Sequence, residues 1–85
     1  MAKRVLDLHG YTTSEAEAAL DLFLHHAKQV GLGKVKILTG KGTGAVRSAV
    51  IRKLRFRGCK WEYELKGKKK IVNEGCLVVV LKETL

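Results

Sequence analysis

An aspartate and a histidine two residues apart, in Asp7-Leu-His-Gly10, and a glycine-rich segment about thirty residues later, Thr39-Gly-Lys-Gly-Thr-Gly44, hold most of the chemical potential of this chain. Residues two apart on a strand project to the same face. His9 would then supply an imidazole able to move a proton near neutral pH, beside an Asp7 carboxylate that can orient it, accept a proton or hold a divalent cation. Gly40, Gly42 and Gly44 alternate with Lys41 and Thr43, which permits positive φ and close approach of backbone N–H groups to a phosphate. Arg47 falls one turn into the helix expected after this loop, where a guanidinium can clamp a phosphate or stabilise charge growing on a pentavalent phosphorus. Together these residues describe a phosphodiester site. Each part also has a plainer reading. The loop can be a tight strand-to-helix turn, and Asp7 and His9 can cap the turn that leads into the first helix. The loop has neither the ending of a Walker motif nor the spacing of a dinucleotide fingerprint, and an Asp-x-His pair alone is not a zinc site.

The composition fits a polyanionic partner. In 85 residues, 17 Lys and Arg stand against 8 Asp and Glu, a formal net charge of +9. A field of that sign attracts nucleic acid and speeds encounter with it. Arg52 and Arg55 on the solvent side of the second helix, with Lys68, Lys69 and Lys70, extend the cationic surface, although a charge run can equally be a solvated face that maintains solubility. The length suits one domain whose site is an open groove rather than an enclosed chamber. No apolar run approaches a membrane span and no signal peptide is recognisable, so the expectation is a cytoplasmic protein without a membrane partner. Cys59 and Cys76 lack metal or redox spacing and are expected as reduced thiols in strands.

The elements that must bring these residues together are short. Val5 to Leu8 reads as a first strand, with Leu6 and Leu8 on one face and Asp7 and His9 on the other. Ser14 with Glu17 three places on fits a capping box, opening a helix whose core stripe is Ala16, Ala19, Leu20, Phe23, Leu24 and Ala27. Val35 to Leu38 is a second strand, and Gly44 to Phe56 a second helix with Val46, Val50 and Leu54 inward. Cys59 to Leu65 alternates as a strand; its Trp61 and Tyr63 could stack on bases, but their regular alternation argues for core. Leu77 to Leu81 reads as a central strand, and 67–75 as an exposed, mobile hairpin loop. The order βαβαββ predicts an α/β chain built as an α+β two-layer sandwich, a four-stranded mixed sheet with two helices on one face. Its first two strands are parallel, so the loops after them should emerge at one sheet edge, where ligands bind in open α/β folds.

The motifs Leu6-Asp-Leu-His-Gly10 and Thr39-Gly-Lys-Gly-Thr-Gly44, in this order and within this pattern, resemble the small MutS-related (Smr) domain family from Val5 to about Lys82. The resemblance implies a fold like the C-terminal domain of translation initiation factor three, and nucleic-acid endonuclease activity. Known members nick DNA when fused to MutS-like ATPases, and others cleave messenger RNA on stalled ribosomes, so DNA or RNA is the implied partner and an ATPase or ribosome a further one. The family's acid–histidine element maps to Asp7 and His9, its glycine loop to Gly40 and Gly42, and its helix arginine to Arg47. Many bacterial members begin the loop with histidine where this chain has Thr39, which implies slower chemistry or sole reliance on His9. RNA cleavage needs no metal, because the 2′-hydroxyl can attack; DNA cleavage favours a divalent cation such as Mg or Mn. The alternatives are an RNA endonuclease and a non-catalytic DNA- or RNA-binding module.

Overall fold

The computed structural model describes residues 4–40, 44–66 and 71–81. Its elements run β1 (Val5–Asp7), α1 (Thr13–Gln29), β2 (Lys34–Leu38), α2 (Ala45–Phe56), β3 (Lys60–Lys66) and β4 (Ile71–Val80). They build one four-stranded mixed sheet in the order β1-β2-β4-β3. β1 and β2 are parallel, with Leu6 opposite Ile37, while β4 runs antiparallel to both β2 and β3. The βαβαββ order and the mixed sheet are those read from the sequence.

Alternation along β2 decides which face is covered. Val35 and Ile37 are buried whereas Lys34 and Lys36 are exposed, and the buried pair joins Leu77 and Val79 of β4 in one core with Ala16, Leu20, Leu24 and Ala27 of α1 and Val50 and Leu54 of α2. Both helices therefore lie on the same face. Trp61 and Tyr63 pack against this core, their rings edge to face with centroids 5.2 Å apart. That is the core reading, and it takes these aromatics away from any base-stacking role. On the bare face, Lys36 Nζ meets Glu64 Oε2 at 2.7 Å, tying β2 to β3 across β4; this hydrogen bond and the Glu64 charge raise the Lys36 pKa.

Two local expectations are corrected. The cap of α1 is Thr12, not Ser14. Thr12 has an extended backbone, its hydroxyl oxygen accepts from the Glu15 N–H at 3.2 Å, and its own N–H donates to Glu15 Oε1 at 3.0 Å. Thr12-x-x-Glu15 and Ser14-x-x-Glu17 satisfy the same pattern, and the turn made by the preceding residues selects the earlier one. The Thr12 amide holds the Glu15 carboxyl below its ordinary range, so this contribution to stability is present at neutral pH and is lost as pH falls beneath the usual carboxylate pKa. The second correction concerns 67–75. β4 begins at Ile71 and pairs with β3 through Lys66, with a register shift between Tyr63 and Glu64. Asn73, Glu74 and Gly75 suggest a turn by composition, but the shift lets them continue the strand. Cys59 and Cys76 are not joined in a disulfide.

Leu20→Ala, at a fully buried site, is expected to cost about 2–5 kcal/mol in urea denaturation. Leu22→Ala on the same helix, at a side chain 72% exposed, should change stability by no more than about 0.5 kcal/mol.

Candidate functional site

The ladder between the parallel strands continues one residue past β1, as the Leu8 N–H donates to the Leu38 carbonyl at 2.8 Å. Beyond it the chain turns. The Tyr11 N–H donates to the Leu8 carbonyl at 3.1 Å, and Gly10 takes a φ of +78° that L side chains rarely adopt. His9 therefore sits in a turn rather than on the strand. The Asp7 carboxylate does not reach the imidazole; its Oδ1 accepts from the His9 backbone N–H at 2.9 Å. Asp7 thus fixes the peptide that carries His9, the turn-capping alternative, while His9 itself remains exposed.

The second loop meets this turn. A Cβ built on Gly40 would lie 3.8 Å from His9 Nδ1, so the first glycine of the loop lies directly against the imidazole. Gly44, at φ +84°, is the N-cap residue of α2. The first turn of this helix borders the opening beside it, a natural place for an anion. Arg47 folds back over Gly44, with Nη2 only 3.2 Å from where a Cβ would stand. Its Nη1 pairs with Glu74 Oε2 at 3.3 Å. These groups line an open pocket of about 270 Å³ that includes His9, Tyr11, Thr39, Gly40, Gly44 and Arg47.

Glu74 and Tyr11 were not found from the sequence, and Thr39 is read there only as the residue that opens the glycine loop. Glu74 falls in the stretch whose composition suggests a loop, yet β4 delivers it to Arg47. Its side chain is 67% exposed, so the pair is worth at most about 1 kcal/mol and a phosphate can displace it. Tyr11 enters only because the Gly10 turn swings it to the pocket wall. Thr39 is 8% exposed, and its hydroxyl has no partner among the described residues, while its N–H donates to the Gly75 carbonyl at 2.9 Å. A buried hydroxyl without a partner is costly, and here it belongs to the residue that opens the glycine loop.

The remaining candidates divide. Lys41, Gly42, Thr43, Lys68, Lys69 and Lys70 lie outside the described residues. Arg52 and Arg55 are exposed on the outer face of α2 and do not line this pocket; Arg52 approaches Glu17 of α1 at 3.6 Å. Lys53 and Arg57 both pair with Asp21, at 2.9 and 3.2 Å. The acids of α1 therefore offset part of the charge of α2 on the side where the helices meet. Among the described residues no three His, Cys, Asp or Glu side chains cluster closely enough to hold a metal ion, and no described helix is long and apolar enough to cross a membrane.

The Smr domain model matches residues 6–82. Endonuclease MutS2 of Symbiobacterium thermophilum is 44% identical over 62 residues, 73% of this chain and 8% of that protein. Endonuclease MutS2 of Fusobacterium nucleatum is 37% identical over 79 residues, 91% of this chain and 10% of that protein. The chain thus spans a tenth or less of these relatives. Among solved structures, the Smr domain of Thermus thermophilus MutS2 superposes with a TM-score of 0.80 at 32% identity, covering 94% of this chain and 99% of that one. The SMR domain of NEDD4-binding protein 2 gives a TM-score of 0.71 at 27% identity, covering 100% and 92%.

Gly44→Ala is expected to destabilise the fold by about 1–2 kcal/mol for the left-handed backbone, with a smaller part from the Arg47 guanidinium, which must shift from 3.2 Å. Chemical denaturation of Gly44→Ala and of its double variant with Arg47→Ala separates the two: the double variant should recover the contact part alone.

Proposed function

The chain belongs to the Smr domain family, and on that premise we propose that it is a nucleic-acid endonuclease, a nicking enzyme of the Smr type acting on DNA. The observation that carries this reading is the convergence of His9, Arg47 and the N-terminal turn of α2 on one pocket. A phosphodiester seated there places its non-bridging oxygens against the first-turn amides and the guanidinium, displacing Glu74. Water attacks phosphorus and surrenders a proton to the His9 imidazole. The phosphorus–oxygen bond to the leaving sugar then breaks, and the leaving oxygen takes up a proton. Arg47 and the amides stabilise the extra negative charge of the phosphorane, a kind of interaction often worth a factor of about 10² to 10³ in rate.

Asp7 is the positioning residue. Its bond to the His9 amide sets the turn that faces the imidazole toward Gly40. The same carboxylate would be one oxygen donor to a divalent cation that keeps most of its water, as Mg commonly does. Such a cation would polarise a phosphoryl oxygen and lower the pKa of its bound water. The steps assigned to His9 and Arg47 do not run through it.

Nicking of labelled duplex DNA, alongside RNA of the same sequence and with and without chelator, tests the proposal. His9→Ala is expected to lose about 10²- to 10⁴-fold in rate, and Arg47→Ala about 10²- to 10³-fold. Asp7→Asn keeps an acceptor for the His9 amide, so it should lose less than Asp7→Ala, which removes acceptor and charge together. Binding without any cut product at enzyme excess would replace the endonuclease with a binding module. Cuts confined to RNA and ending in a cyclic phosphate would instead show attack by the 2′-hydroxyl.

A further inference from the structure

Among the described residues the most exposed large apolar side chain is Phe56, at 87% of its surface. Burying a phenylalanine side chain stabilises a fold by roughly 1.5–3 kcal/mol, and Phe56 contributes none of this. Its position is informative. Residues four apart on a helix form one ridge, and the ridge through Phe56 comprises Arg52, Ser48 and Gly44, the last of which lines the candidate site. Twelve residues of helix span about 18 Å, so the aromatic ring lies at the far end of a track that begins at the pocket. The track is cationic. Ser48, Ile51, Arg52 and Arg55 line a shallow groove along it, and Arg55 has no ion-pair partner among the described residues. Arg52 is 77% exposed and only loosely engaged by Glu17 at 3.6 Å.

We propose that Phe56 is a base-stacking platform and that the α2 ridge guides an unpaired nucleic-acid strand into the site. This rests on the nuclease reading and deepens it by naming the substrate class. Guanidinium groups hold the phosphates, and the exposed ring accepts the flat face of a base, the combination by which single strands are held without sequence preference. Stacked duplex bases hide their faces from such a ring. A flap, gap, loop or frayed end presents them. The preferred substrate therefore contains unpaired nucleotides a few positions from the bond that is cut. The flanking arginines and the net charge of +9 favour this occupant over an apolar protein surface.

Fluorescence anisotropy with a labelled single-stranded oligonucleotide and with a blunt duplex of the same sequence provides the test, using the wild-type chain, Phe56→Leu and Phe56→Trp. Thermal melts should match among the three, because the side chain is outside the core. Phe56→Leu keeps the apolar character and removes the aromatic face. It is expected to weaken single-strand binding by about five- to a hundredfold, the usual loss for one stacking contact, and to leave duplex binding unchanged; Phe56→Trp retains both. A 2-aminopurine placed along the strand should change its fluorescence with wild type and Phe56→Trp, but not with Phe56→Leu. Equal single-strand affinity in wild type and Phe56→Leu overturns the inference, as does a self-association of the wild-type chain that Phe56→Leu abolishes. Absence of wild-type binding to either nucleic acid overturns the functional reading itself.

Discussion

Two strands lying side by side and pointing the same way must finish at the same edge of their sheet. The pairing of Leu6 with Ile37, prolonged by the bond from the Leu8 amide to the Leu38 carbonyl, imposes that condition here. Everything at the pocket follows from it. The turn holding His9 and the loop beginning at Gly40 are released from adjacent strands at equal height. The second helix then starts where the loop ends, so its N-terminal turn borders the same opening. Antiparallel pairing of these two strands would put the two motifs at opposite ends of the sheet.

Charge is distributed with a similar economy. The carboxylates of α1, Glu17 and Asp21, engage Arg52, Lys53 and Arg57 where the helices meet, and Glu64 engages Lys36 on the bare face of the sheet. At the pocket the opposing acid is Glu74, held by a single exposed contact. A strong buried pair there would lock Arg47 away from any anion. A weak one keeps the guanidinium aligned while remaining easy to exchange for phosphate.

What the sequence disclosed was governed by periodicity and by special residues. The stripe of α1 and the alternation of β3 each have a period with a single physical reading, and with the parallel pairing expected of the first two strands they were enough to give the βαβαββ order and the shared edge of the two motifs; the alternation of β2, with Lys34 and Lys36 exposed, was not read from its few polar residues. Short-range rivalry was harder to read. Thr12 and Ser14 both head a capping box, and only the turn at Gly10 decides between them. Asp7 and His9 were expected to touch as strand neighbours, but one residue beyond the ladder the backbone turns and the carboxylate finds an amide. Glu74 and Phe56 had no local signature, since the first depends on a register shift in the β3–β4 pairing. The second is an ordinary apolar residue until the fold leaves it outside.

β1 is three residues long and has a neighbour on only one side, and its nearest fully buried anchor is Leu8, one residue past its end. The acid and the imidazole thus ride on the least secured piece of the sheet, whereas the glycine loop and α2 are rooted in its centre. Such an edge can detach while the helices and the β2–β4–β3 sheet stay assembled. Loss of competence on warming should accordingly set in before the cooperative melt, and amides near the N-terminus should exchange with solvent well ahead of those in the middle strands.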